Sequence, residues 1–528
     1  MENKKEGIIK GIMSLLISQI FIKVIGLIYK LYLTNKQGFG DAGNAIYSSG
    51  FQIYALLLTF SSTGVPNAIS YLVSERLAIG DNKGAHKIFK IAFVTFAFIG
   101  LVGSILLFLG AEKIANAFLQ IPEAKYSLIA LSPSIFFVSI TSVVRGYFNG
   151  RQNFSVTAKS QSVEQIFKTV FTIVLVEIVI ILGKNNTEIM SASANFATTV
   201  ATITSFIYIY MYYRLKRREI AQEITETVNY KPTRIRKTLK KILTVAMPIS
   251  ISSLISSFNR NIDSFTIVRY LKRFLTEEEA KIQYGILSGK IDSLCSLPFS
   301  LNIAFVTALV PSISKSMAKG RIEEVRKKSE IFILVSVLIA FPITAIMYVY
   351  SKEILMVLFP NAMEGSMYLK ISSISIIFMI LAQTINGILQ AIGKVGVPAI
   401  AFGIGMIFKL VINITLLPNP KIGIYGAIIG NIVCNIVAFT IGIIILNKNI
   451  KIKLNIKKVI IKPFIATIIM ITLSSLIYQN AKCIKNSYLS IILTLFASLL
   501  IYIVLIVILR IISLKEIKIL NKNKKISK

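Results

Sequence analysis

The stretch GYFNGRQNFSVTA (Gly146–Ala158), followed by IFK (Ile166–Lys168), returns later in the chain as GILQAIGKVGVPA (Gly387–Ala399) followed by IFK (Ile407–Lys409). The copies stand about 240 residues apart, and each lies between two long apolar runs, as in a duplicated membrane bundle. A looser echo joins Val65-Pro66, Ile69-Ser70 and Gly80 to Val310-Pro311, Ile313-Ser314 and Gly320, with a difference of ~5 residues that ordinary loop variation covers. Both echoes relate one apolar run to the sixth run after it. Six is even, so the two halves have the same orientation in the membrane. The predicted fold is an all-α polytopic membrane protein of two six-helix bundles, related by an axis along the membrane normal, plus two extra C-terminal helices. The expected boundaries are 1–230 for the first lobe, 231–450 for the second, and 451–528 for the last two helices and a basic tail.

Runs long enough to cross a ~30 Å hydrocarbon core fall near residues 10–33, 45–72, 88–110, 127–148, 160–182, 189–213, 242–268, 284–311, 330–350, 367–391, 397–417, 422–447, 459–479 and 487–512. About 14 spans use up most of the 528 residues. The composition agrees: 54% of residues are hydrophobic, 16% are charged, and mean hydropathy is +0.71. A soluble globular chain is excluded, and the spans are far too long for barrel strands. Lys4, Lys5 and Lys10 precede the first run like the start of a signal peptide. That run continues to Leu33 without a small-residue cleavage site, so it reads as an uncleaved first span.

The formal net charge is +35. With the N-terminus inside, inward-facing segments hold roughly three times as many Lys and Arg as the outer loops, in line with the positive-inside rule. The richest are 214–241, 315–328, 448–462 and 515–528. Both termini are then cytoplasmic, in a bacterial-type cell membrane crossed many times. Most of the charge sets topology and touches anionic membrane lipids, and no nucleic-acid partner is implied.

A side chain charged at mid-bilayer costs about 2.5–3.5 kcal/mol to insert and normally faces a bundle interior. In span 1, Gln19, Lys23, Gly26 and Lys30 recur at helical spacing on one face, which suits an anion site unless the lysines reach the headgroups. Span 5 carries Glu164, Lys168 and Glu177. The first two are spaced for an intrahelical ion pair, while Lys168 also has a repeat partner in Lys409. Span 7 carries Arg260 and Asp263 three residues apart, and span 8 carries Lys290 and Asp292. Lys370 lies near an outer boundary and reads as interfacial. Seven cations stand against four acids, a balance suited to anions rather than to a cation or drug antiporter.

Three cysteines follow no ligand spacing, and one histidine, His86, leaves little for metal or acid–base chemistry. The sequence lacks GxxxxGK[ST], GxSxG and HExxH. No enzyme activity, cofactor or metal is expected.

The stretch Tyr54–Lys90, with Val143–Lys168 and Leu297–Gly320, closely resembles the stage V sporulation protein B family. That family is grouped with the MurJ-like polysaccharide and lipid-linked oligosaccharide flippases of the multidrug/oligosaccharidyl-lipid/polysaccharide (MOP) exporter superfamily. The resemblance runs from about Lys10 to about Ile450. It implies a flippase that carries an undecaprenyl-diphosphate-linked cell-wall precursor, lipid II first, to the outer leaflet by alternating access. Ile22-Lys23-Val24-Ile25-Gly26 resembles the family's Ser-Arg-Val-Leu-Gly element, with Lys where Arg is usual, and Lys30 resembles the second basic site of that helix. Span 2 departs from the pattern, for no Lys or Arg occurs between Lys36 and Arg76, and Lys290 with Asp292 is a loose counterpart of an Asp-Arg pair. Expected diphosphate contacts are Lys23, Lys30, Arg260 and Lys290, joined by Lys168 and Lys409, with Gln19, Glu164, Asp263 and Asp292 as polar partners. An exopolysaccharide or teichoic-acid repeat unit is the alternative cargo, a drug antiporter a further one, and a scaffold recruiting cell-wall synthesis enzymes through its basic face a fourth reading.

Overall fold

In a bilayer the backbone must satisfy its own hydrogen bonds, and this chain does so with helices: no strand occurs among the described residues. The computed structural model describes residues 18, 21–59, 64–183, 186–225, 227, 230, 234–452, 454–481 and 487–511. It leaves aside the side chains at 248, 249, 251–253, 255, 256, 260, 304, 307–309, 311, 481, 487 and 488. In chain order the helices are α1 (21–35), α2 (Gly40–Thr59), α3 (Val65–Ala78), α4 (Asn82–Lys113), α5 (Ala124–Gly150), α6 (Phe154–Ile181), α7 (Thr187–Leu215), α8 (Arg217–Thr225) and α9 (Ile235–Leu271). They continue with α10 (Glu277–Gly285), α11 (Asp292–Ala318), α12 (Ile322–Val349), α13 (Ser351–Leu358), α14 (Ser366–Ala391), α15 (Val397–Leu416), α16 (Tyr425–Ile450), α17 (Lys462–Ala481) and α18 (Ser487–Ile508).

Over the described residues all fourteen expected spans fall on these helices; residues 10–17, 19 and 20 of the first lie outside the described residues. In the span expected over 45–72, α2 runs to Thr59 and α3 runs on from Val65, with residues 60–63 outside the described residues. Pro66, which lacks an N–H, stands in the first turn of α3, where that donor would have no helical partner. The span over 284–311 begins as α10, widens into a π-helical turn at Ile286–Ile291 and resumes as α11. Gly285 and Gly289 lie on α2 here. A Cβ on Gly285 would overlap the Asp41 carbonyl, and one on Gly289 would stand 2.5 Å from Asn44 Cγ.

The internal repeat is visible in the packing. In the first bundle α3 packs on α4 and α5, α4 on α5, α5 on α7, and α6 on α7. In the second, α11 packs on α12 and α14, α12 on α14, α14 on α16, and α15 on α16. The matched glycines do the same work in each copy. Gly146 lets α5 approach α3, where a Cβ would stand 2.8 Å from the Pro66 carbonyl, and on Gly387 of α14 a Cβ would overlap Val306 of α11. Even the connecting turns agree: Gln152 (φ 63°) after α5 and Gly393 (φ 85°) after α14 both adopt the left-handed conformation. The last pair, α17 and α18, pack on each other, with α17 also against α12.

By contacts the chain divides into a unit Met1–Gly289 and a unit Lys290–Lys528. In the first unit α9 packs on α2, α3 and α4. Lys241 near its start meets Glu75 at 2.8 Å, and Arg269 near its end donates to the Ala117 carbonyl at 2.6 Å. Among the described residues eight helices are long and apolar enough to cross a membrane by length and composition. Two belong to the first unit and six to the second. Val94, Phe98, Leu106 and Leu109 of α4, with Phe496, Ile503 and Val507 of α18, are well exposed in the protein, as lipid-facing side chains should be.

Candidate substrate site

The first bundle gathers its charges around aromatic rings. Tyr29 of α1 and Tyr47 of α2 meet edge to face, ring centres 6.5 Å apart, and Phe51 stacks on Tyr47 at 5.8 Å. Lys30, next to Tyr29 in the chain, is half-buried, with its ammonium 5.2 Å from the Tyr47 ring centre and 3.4 Å from Ser48 Oγ. Lys168 reaches the same cluster from α6. It is buried, and its ammonium lies 4.0 Å from the centre of Phe51 and 5.2 Å from that of Tyr29. Ring faces favour a cation by about 0.5–2 kcal/mol, less than a desolvated ammonium gives up by leaving water.

The acids of the bundle are already engaged. The intrahelical Glu164–Lys168 pair expected from spacing does not form. Glu164 turns to Arg145 of α5, Oε2 to Nη2 at 2.7 Å, because the neighbouring helix offers a guanidinium with further partners beside it. Arg145 also donates to Ser160 and Ser205, at 2.9 and 2.8 Å from Nη2, which fixes α5, α6 and α7 together. The sequence reading passes over Arg145, although it lies inside the apolar run 127–148, and that position was the available signal. Glu177 accepts from Lys36 and Tyr32.

The other expected residues are dispersed. Lys23 is exposed on α1, unlike Lys30 two turns on, while Gly26 between them faces Gln165 of α6. Gln19 lies outside the described residues, as does the side chain of Arg260. Asp263 is buried on α9, beside Ser264, whose hydroxyl is 2.8 Å from that of Tyr284. Lys290 is fully enclosed and its ammonium donates to the Ala362 carbonyl at 2.8 Å, so here it fastens the chain between α13 and α14. Asp292 is half-buried at the start of α11. Lys409 is fully enclosed too, its side chain against the place where a Cβ on Gly430 would stand, 3.2 Å away. Lys370 is half-buried with its ammonium over the Tyr348 ring at 4.9 Å. Thus Lys30 and Lys168 share one cluster.

Outside the spans, α10 opens with a capping box between Thr276 and Glu279. Lys281 bonds Glu123 and Glu277, and Lys272 bonds Glu277 at 2.7 Å. Hydrogen bonds from Lys272 and Lys281 hold the Glu277 carboxyl below its usual range. Burial alone would lower the Lys281 ammonium, but its bonds to the two carboxylates outweigh that and raise it.

Duplicated bundles with small-residue helix contacts and interior charges define an all-α polytopic membrane protein. A family model described as polysaccharide biosynthesis protein matches residues 8–317, more than half of the chain, and one described as MatE matches 291–415. The chain belongs to the polysaccharide biosynthesis protein family. It is similar to stage V sporulation protein B of Bacillus subtilis (strain 168), at 23% identity over 516 residues, 97% of this chain and 98% of that one. It is also similar to lipid II flippase MurJ of the same organism, at 23% over 496 residues, 90% and 88% of the two chains. Among solved structures, a lipid II flippase MurJ in an inward closed conformation matches with TM-score 0.72 and 17% identity, covering 94% of this chain and 98% of that one. An inward-facing multidrug resistance MATE family transporter matches with TM-score 0.66 and 16% identity, over 82% and 98%. The resemblance read from Tyr54–Lys90, Val143–Lys168 and Leu297–Gly320 is borne out.

Proposed function

We propose that this chain is a flippase that moves a diphosphate-linked saccharide carrier lipid, lipid II-like, across the cell membrane, and that it is not an enzyme. The carrying observation is the pair Lys30 and Lys168 on one aromatic cluster in a bundle whose Glu164 and Glu177 are engaged elsewhere. A diphosphate is a compact anion that two ammonium ions can hold by charge-assisted hydrogen bonds, each worth about 1.5–3 kcal/mol. In this reading the lobes 1–230 and 231–450 alternate access, both termini are cytoplasmic, and outward movement of the anion is favoured by an inside-negative potential at ~2.3 kcal/mol per charge per 100 mV. Lys30 and Lys168 carry the main assignment, with Lys23 and Arg260 as flanking contacts.

Translocation of fluorescent lipid II in proteoliposomes tests the proposal. Lys30→Ala/Lys168→Ala is expected to slow flipping by more than about tenfold with the protein still folded. Equal rates in wild type and double variant would sink the site. The family model's description favours a second cargo, a polysaccharide repeat unit on the same kind of carrier. Competition between lipid II and such a repeat-unit lipid in the same vesicles separates the two.

A further inference from the structure

A groove lies on the first unit between α5, α6 and α7, away from the aromatic cluster. Its floor is made by small residues, Ala130 of α5 with Ala192 and Ser193 of α7. Its walls are Tyr126, Leu175, Ile189 and Phe196, and its volume is about 440 Å³, within the range of small-ligand sites. On α7 the lining residues recur at steps of three and four, so they form one stripe, and from Glu188 to Phe196 that stripe is ~12 Å long. Tyr126 and Phe196 are 52% and 44% exposed, so the groove opens to the side of the helices that line it.

One lining residue carries a charge at neutral pH, and it is an acid. Glu188 stands in the first turn of α7, at the end of the bundle that the charge count assigns to the outside. The charged groups that face it are Glu123 and Lys281. Lys281 is shared between Glu123 and Glu277, and Glu277 also holds Lys272. Three carboxylates therefore meet two ammonium ions, leaving a negative excess at the mouth of the groove in a chain whose net charge is +35. Oε2 of Glu123 is buried with no hydrogen-bond partner among the described residues. An apolar trench closed at one end by uncompensated carboxylate charge fits an amphiphile with a cationic, hydrogen-bond-donating head.

We propose that this groove binds an aminophospholipid of the phosphatidylethanolamine type in the outer leaflet. One acyl chain lies along the α7 stripe and the primary ammonium donates to Glu188. A choline head has no N–H to donate, and a glycerol head brings only negative charge to a negative mouth. The groove acts independently of the site for transported cargo.

Native mass spectrometry of the full-length protein, exchanged into equal amounts of phosphatidylethanolamine, phosphatidylcholine and phosphatidylglycerol with the same acyl chains, tests the proposal. Wild type is expected to retain the ethanolamine lipid about fivefold over the other two. Glu188→Gln should keep bound lipid but level the three headgroups. Ala192→Phe, or Ser193→Leu if the first variant folds poorly, should fill the trench and remove retention altogether. Equal retention of the three lipids by wild type would overturn the proposal, as would an ethanolamine preference that survives in Glu188→Gln.

Discussion

The two copies of the repeat share a backbone plan and differ in what they bury. Where α5 and α6 place Arg145, Ser160, Glu164 and Lys168, the matched positions of α14 and α15 hold Asn386, Ala401, Gly405 and Lys409. In the first set Arg145, Ser160 and Glu164 form a hydrogen-bonded charged network, with Lys168 on the aromatic cluster beside it. The second is close helix contact: a Cβ on Gly405 would sit 2.7 Å from the Cys434 carbonyl, and Lys409 is sealed inside. The eight strongly apolar spans divide two to six in the same sense. Duplication supplied two equivalent frames, and at these matched positions the first carries the Arg145–Glu164 ion pair. The shared Lys168 and Lys409 show that sequence identity at matched positions does not carry equal roles, since only Lys168 lies on the aromatic cluster with Lys30.

Exchanging residues between the copies breaks this comparison most severely. Gly405→Glu sets the first bundle's carboxylate into a position packed on backbone, with no Arg145 opposite. Overpacking and an unpaired buried charge together should cost more than about 4 kcal/mol, read as loss of the monodisperse peak in size-exclusion chromatography. A normal elution profile would mean that α15 and α16 can part. Next in size, Arg145→Ala strands Glu164 and two serines, and should lower stability by about 3 kcal/mol in thermal unfolding. Asn386→Ala should cost about 1 kcal/mol. Similar losses for these two would erase the asymmetry.

A third comparison concerns transport alone. Lys168→Met should slow flipping about tenfold, or ~1.4 kcal/mol, without loss of fold. Lys409→Met replaces an enclosed charge by an apolar chain of similar length and should leave transport near wild type. The reverse outcome would move the site to the second bundle. The smallest effect is expected at the start of α10. The depressed Glu277 carboxyl adds stability while it is ionised; that contribution is complete above its ordinary value of 4.5 and is lost as pH falls through the lower folded value. The melting temperature should therefore hold from pH 8 to about 5 and fall in acid, less so in Glu277→Gln. An acid limb unchanged by the substitution would remove Glu277 from the account.

Much of the fold was legible because bilayer thickness fixes the length of an apolar run, and because glycines at helix contacts recur in both copies. The site was less so. Helical spacing reports which residues share a face, and it correctly aligned Glu164 with Lys168. It does not report which neighbouring helix brings a stronger partner, and Arg145 took the carboxylate. Lys30 and Lys23 lie on one stripe in the sequence, but only Lys30 is level with Tyr47 and Ser48 of α2. Lys290 and Lys409 look like any other intramembrane lysine until packing encloses them. The π turn at Ile286–Ile291 lies where Gly285 and Gly289 sit close on α2, a contact that no spacing along the chain reports.

The attachment of α9 bears on how force would pass through the molecule. Its 37 residues form a rod about 55 Å long, enough to reach from one face of a bilayer to the other. Lys241 pins it near one end to Glu75, and Arg269 pins it near the other to Ala117. A rod fixed at both ends resists tilting far better than one hinged at a single point. The peptide connection between α8 and α9 can therefore slacken or be cut without α9 leaving its neighbours. Two fragments divided there and expressed together should still assemble, with α9 as the strut that holds the first unit's two faces at a set distance.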